Sequence, residues 1–152
     1  MNVVSIERGV KGAAVRLGVS LMALLSVLHV APAAASEPDL AQAYRIDSHR
    51  IGKVVARYVL TFRDECMDVQ VMDPDGHWKV LSARRFCSFE GKSFNDGFAH
   101  AGFEDLRFAE DGLHATLVTF ALRGAGEELR ACLIPIQGPK VKAMQCAEPE
   151  IR

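Results

Sequence analysis

The chain has 152 residues, with 18 Lys and Arg against 19 Asp and Glu. Setting aside the four charges of its first 35 residues (Glu7, Arg8, Lys11, Arg16) leaves 15 basic and 18 acidic residues, a net charge of about −3. That balance argues against nucleic acid as a partner, because such domains carry a clear basic excess.

The N-terminus opens with those basic residues and continues as an apolar run from Leu17 to Ala31, closed by Pro32 and Ala33-Ala34-Ala35. A positive start, a short apolar stretch and an A-x-A site make a cleaved signal peptide over residues 1–35. The run falls short of the roughly 20 apolar residues of a membrane span, so no stable span is expected after cleavage. What remains is one domain's worth of chain in an oxidising compartment, the periplasm or the outside of the cell.

Residues 36–50 read as a short helix or a linker. In the helical version Ser36 caps it, Pro38 and Asp39 suit the first turn, and Leu40 and Tyr44 share a face. From residue 51 to 152 the pattern is that of a β domain. In Lys53–Phe62 the even positions Val54, Ala56, Tyr58, Leu60 and Phe62 are apolar, the period of a strand with one buried face. Met67, Val69 and Val71 repeat it, Asp73-Pro74-Asp75-Gly76 turns the chain, and His77 to Phe86 returns. Further on, Asp111-Gly112 separates Phe103–Glu110 from Leu113–Leu122 as a hairpin loop, which sets Phe108 opposite Ala115 and Leu106 opposite Leu117. Gly124-Ala125-Gly126 and Gly138-Pro139 then delimit Leu129–Ile136 and Val141–Cys146. The expected fold is mainly β: a small antiparallel β-barrel or β-sandwich of about seven strands, stapled by two disulfides.

Four cysteines allow three pairings. A three-residue loop Gly138-Pro139-Lys140 places Cys132 opposite Cys146, Ile134 opposite Met144 and Ile136 opposite Lys142, whereas a two-residue loop leaves the cysteines out of step. Cys66 and Cys87 are then the second pair. Simple closure at Pro74-Asp75 sets Cys66 beside Ala83, so a bulge or a longer turn has to intervene. In export, size, cysteine pairing and β content the layout resembles that of small bacterial periplasmic lysozyme inhibitors. The Ser-Gly-x-x-Tyr loop of one such family is missing, and no family is assigned.

The segment between Cys87 and Phe103 shows no sustained strand period and is long for a connection in a compact domain. It reads in two ways. As a partner-binding loop it would present Phe94 and Phe98 as an apolar anchor among Lys92, Asn95, Asp96 and His100. As a structural turn it would plug the end of the barrel with the same two rings.

No pair of histidines or of histidine and carboxylate has ligand spacing, so no metal and no cofactor are expected. There is no nucleophile elbow or phosphate loop, and bridged sulfurs leave no thiol for catalysis. The expected role is therefore non-enzymatic: an exported protein-binding module of the bacterial envelope, of inhibitor, immunity or accessory type. The alternative is a carrier of a small molecule or lipid, and a secreted hydrolase ranks last. A carrier needs a cavity, whereas Tyr58, Leu60, Leu106, Phe108, Leu117 and Phe120 look large enough to fill a barrel of this size.

Overall fold

The computed structural model describes residues 37–124 and 126–152. The expected signal peptide, Ser36 and Ala125 lie outside them. Asp39, rather than Ser36, caps the first element: its carboxylate accepts from the Ala41 amide at 3.1 Å and closes one 3-10 turn, Leu40–Gln42. The chain then enters strand β1 (Ala43–Ile51). Residues read as linker or short helix are thus largely a strand, and the β domain starts at Ala43 rather than at residue 51. The reason lies in pairing, since β1 forms an antiparallel ladder with β2 (Val54–Thr61) across a tight turn at Gly52.

β2 pairs with β3 (Met67–Asp73), and β3 with β4 (Lys79–Phe86), giving a four-stranded antiparallel sheet in sequence order. The period-two reading of Lys53–Phe62 places Ala56, Tyr58 and Leu60 in the core, as expected. It is wrong at its end, because the strand stops at Thr61 and Phe62 is 81% exposed. Val55 and Val59 on the opposite face are buried as well, so β2 carries two buried faces rather than one.

The second sheet runs β7 (His100–Ala109), β8 (Gly112–Phe120), β9 (Glu127–Gln137). Along β9 also pair the two-residue pieces β10 (Lys140–Val141), β11 (Gln145–Cys146) and β12 (Glu150–Ile151). Between the sheets lies a two-residue-per-strand hairpin, β5 (Ser88–Phe89) and β6 (Lys92–Ser93). Seven strands have seven or more residues: β1 to β4 and β7 to β9.

Both sheets turn one face onto a single apolar core that includes Tyr58, Met67, Val69, Phe103, Leu117 and Ile134. They touch along both margins. At one, the Val141 amide donates to Ser82 Oγ at 3.2 Å; at the other, His49 stacks on Phe108 with ring centroids 6.1 Å apart. No ladder among the described residues crosses from one sheet to the other, so the fold is a sandwich by hydrogen bonding and barrel-like in outline. Full burial of a side chain such as Leu117 or Ile134 contributes about 1.5–3 kcal/mol.

Three register details differ from expectation. The β7–β8 loop is Glu110-Asp111, with Ala109 facing Gly112, so Phe108 meets Leu113 and Phe103 meets Leu117. Gly112 belongs to the strand because a Cβ there, at φ +149°, would collide with the Ile134 carbonyl oxygen. Phe120, expected inside, is more than a third exposed at the end of β8. The β9–β10 turn closes on two residues, Gly138-Pro139, and sets Val141 rather than Lys142 against Ile136.

Both disulfides, Cys66–Cys87 and Cys132–Cys146, are present as expected. After the two-residue closure at Gly138-Pro139, one surplus residue between Val141 and Gln145 restores the step and sets Cys146 opposite Cys132. On the other side the β3–β4 loop holds five residues, Pro74–Trp78, and a one-residue shift follows at Leu81. These two departures make up the offset between Ala83 and Cys87. Met67 faces Phe86, with the two cysteines one step beyond.

Candidate functional site

The 87–103 segment is positioned by its own hairpin. Glu90 and Gly91 both have positive φ, 48° and 77°, the geometry of a mirror-image turn that matches strand twist. The Phe94 amide then donates to the Cys87 carbonyl at 2.8 Å, and Gly97 closes one turn onto Ser93. These bonds aim Phe94 inward, where it is 2% exposed and meets Phe103 edge-on at 5.6 Å. Phe98 is partly buried beside it, 6.3 Å away, under the Lys92 ammonium. The plugging role is the one the geometry shows for Phe94, which is not offered as an anchor. Lys92, Asn95, Asp96 and His100 are exposed. Asn95 accepts from the Glu65 amide and His100 packs on Phe120, so Asp96 and His100 do not form a pair. Behind the hairpin Lys92, Phe89, Phe98, Thr119, Glu128 and Arg130 enclose a cleft of about 120 Å³. Arg130 pairs with Glu128 and lies over the Phe89 ring, and its Nε is buried with no partner among the described residues.

A different surface collects the exposed apolar side chains. The face of the β1–β4 sheet turned away from the core presents Ile46, Ser48 and Arg50 from β1, over the partners Val59, Arg57 and Val55 of β2. Asp68, Gln70 and Met72 continue it on β3, with Arg85, Ala83 and Val80 on β4. Tyr44 and Phe62 stack at one end, 5.0 Å apart; Trp78, 60% exposed, stands at the other. Ile46 and Val80 are exposed between them, and Leu81, at the bulge of β4 next to Val80, is exposed as well.

Four polar groups of this face are tied down locally. Arg57 donates through Nε and Nη2 to Gln70 Oε1. Arg85 bridges Asp68 at 3.0 Å and Asp64 at 2.5 Å. Burial pushes the Asp68 carboxyl above its ordinary pKa; Arg85 pulls the other way and loses, with Asp64 adding to the rise. Tyr44 is likewise raised, first by burial and then by Glu65. On the second sheet Asp111 is held below its ordinary value, chiefly by its 2.8 Å hydrogen bond with His114.

Two hollows adjoin this sheet. One of about 440 Å³ lies on the outward face, lined by Ser48, His49, Arg50, Val55, Arg57, Met72 and Trp78. A broader open cleft of about 870 Å³ sits at the mouth between the sheets, with Ile51, Val54, Ile136 and Pro139 below Arg50, Lys53 and Glu110. No cluster of metal-ligating side chains occurs among the described residues, and none of their helices is long and apolar enough to cross a membrane. Trp78 is the residue that sequence reasoning passed over; its signal was only that the chain's single tryptophan falls inside a polar turn. No protein-family model, curated protein or solved structure matches the chain.

Proposed function

We propose that the chain is an exported protein-binding module of the bacterial envelope, of inhibitor, immunity or accessory type, docking its partner on the outward face of the β1–β4 sheet. The observation that carries this reading is the gathering of Tyr44, Ile46, Phe62, Trp78, Val80 and Leu81, all exposed, on and around one sheet face. Large exposed apolar patches mark interaction sites, and aromatic and arginine side chains dominate their energetics. The two disulfides suit an oxidising compartment, in keeping with export.

The test is in-cell crosslinking of the full chain, carrying its own leader and a C-terminal tag, followed by capture. Ile46→Asp with Leu81→Asp should abolish a specific adduct that Phe98→Ala retains. An adduct that survives the double variant would refute this face as the docking surface. A second reading, the carriage of a small molecule or lipid, is supported by the mouth cleft of about 870 Å³. A co-purified small molecule in native mass spectrometry would favour it.

A further inference from the structure

The hollow beside Trp78 combines features that a merely solvated surface does not need. Its floor is apolar and buried, made by Val55 and Met72. One wall is the only tryptophan of the chain. That wall is held by two consecutive non-glycine residues in the left-handed region, His77 at φ 59° and Trp78 at φ 62°. Residues in such conformations are strained and gather at ligand clamps. Here the strain sustains an indole over open space rather than in the core.

The opposite wall is cationic. Arg50 and Arg57 both line the hollow, and neither has a carboxylate at ion-pair distance among the described residues. Arg57 is steered by Gln70, a neutral amide, which fixes the guanidinium plane without cancelling its charge. Of the acids of the sheet, Asp47 of β1 does not line the hollow and Asp68 is held by Arg85. Asp73 at the end of β3 and Asp75 of the adjoining turn do not line it either. His49, the remaining titratable group there, stacks on Phe108.

We infer that this hollow receives an acidic side chain of the docked protein, its carboxylate between Arg50 and Arg57 and its stem and neighbouring apolar residue against Trp78, Val55 and Met72. Guanidinium forks pair with carboxylates by charge-assisted hydrogen bonds, and an aromatic face beside them offers the stem of the acid an apolar contact. The partner's contacting segment is therefore acidic with apolar neighbours. This rests on the protein-docking reading and adds the chemistry of its centre.

Because Trp78 is the sole tryptophan, its emission reports on this hollow alone. The protein as recovered from cells is titrated with acetyl-Ser-Glu-Leu-Glu-Ser-amide and with its Gln-for-Glu counterpart. The acidic peptide should shift the emission saturably, with Kd of about 1 mM as befits a fragment. Arg50→Gln should weaken it at least about fivefold, and raising salt from about 0.05 to 0.5 M should weaken it further. Arg57→Lys, which keeps the charge but loses the fork, should weaken it less than Arg50→Gln combined with Arg57→Lys. No saturable shift, or an equal one with the Gln peptide, overturns the inference. A stronger response to inorganic phosphate or to a short single-stranded oligonucleotide also overturns it, in favour of a phosphate site. If the peptide is silent while the Ile46 and Leu81 variants still lose the crosslinked adduct, only this inference falls. If the peptide binds and the adduct is indifferent, the docking face is what fails.

Discussion

Replacing Phe94 by alanine separates the two roles that its segment suggested. The ring is 2% exposed and touches Phe103 edge-on and Phe98 at a tilt. Truncating a buried phenylalanine costs about 3–5 kcal/mol, within which an aromatic pair accounts for about 0.5–1.5. The site lies at the end of the core under a short hairpin that can partly settle into the gap, so the lower end, about 3 kcal/mol, is expected. With a urea slope of about 1.5 kcal/mol/M, that loss lowers the unfolding midpoint by about 2 M. Phe98→Ala, from a half-buried position, should cost about half as much. Phe94→Leu, which keeps much of the apolar bulk but not the ring contacts, should cost less than Phe94→Ala, about 1.5 kcal/mol. Equilibrium urea unfolding followed by far-ultraviolet circular dichroism, disulfides intact, measures all three. A Phe94→Ala midpoint equal to the parent's, with capture of a partner lost, would show the ring to be an anchor and refute the packing argument.

Loop-closure entropy ranks the two disulfides. The Cys66–Cys87 bridge, at a separation of 21, should contribute about 3.4 kcal/mol, and Cys132–Cys146, at 14, about 3.0. Paired Cys→Ala variants in thermal melts should each lower Tm clearly yet fold at room temperature, and an unfolded single-bridge variant would contradict this. Gly112→Ala meets the Ile134 carbonyl and an unfavourable φ together, so a loss of about 2–5 kcal/mol is expected; a neutral result in the same urea assay would disprove the close approach. Carboxyl titration by NMR should place the Asp68 midpoint above that of Asp111. The signs for stability follow from linkage. Asp68 keeps its proton to higher pH folded than unfolded, so its contribution declines as pH rises through the window just above the ordinary carboxylate value. The contribution of Asp111 is present above that value and is lost as pH falls through its lowered folded one. Reversed midpoints would show that Arg85 outweighs burial at Asp68.

The strands that could be read from the sequence are those whose faces differ. In β2 the even positions carry Ala56, Tyr58 and Leu60 to the core, and period two reveals it. β1 escaped because almost nothing in it is buried: Arg45, Asp47, His49 and Arg50 follow one another at a sheet margin, with no contrast between faces to detect. Asp111-Gly112 looked like the hairpin loop, but the glycine is required by the neighbouring strand's backbone, a non-local demand that no turn rule contains. Sequence left open whether the 87–103 segment presents Phe94 or buries it; the ring faces inward through a bond to the Cys87 carbonyl, set by the adjoining disulfide. The Trp78 hollow was invisible in sequence, since it needs β1, β2, β3 and a left-handed turn to converge.

The counting that brings each cysteine pair together has an implication for how the molecule matures. Both bridges lie where a surplus of residues has brought two strands back into step, one residue past Val141 and four in the β3–β4 arm. A chain that pairs one residue out would turn every side chain of that arm to the opposite surface. Its thiols would then point apart and stay reduced. Oxidation is therefore expected to seal the arrangement that was counted correctly and to leave a slipped one open to rearrange. The same logic makes single-residue insertions or deletions in either arm far more damaging than substitutions there.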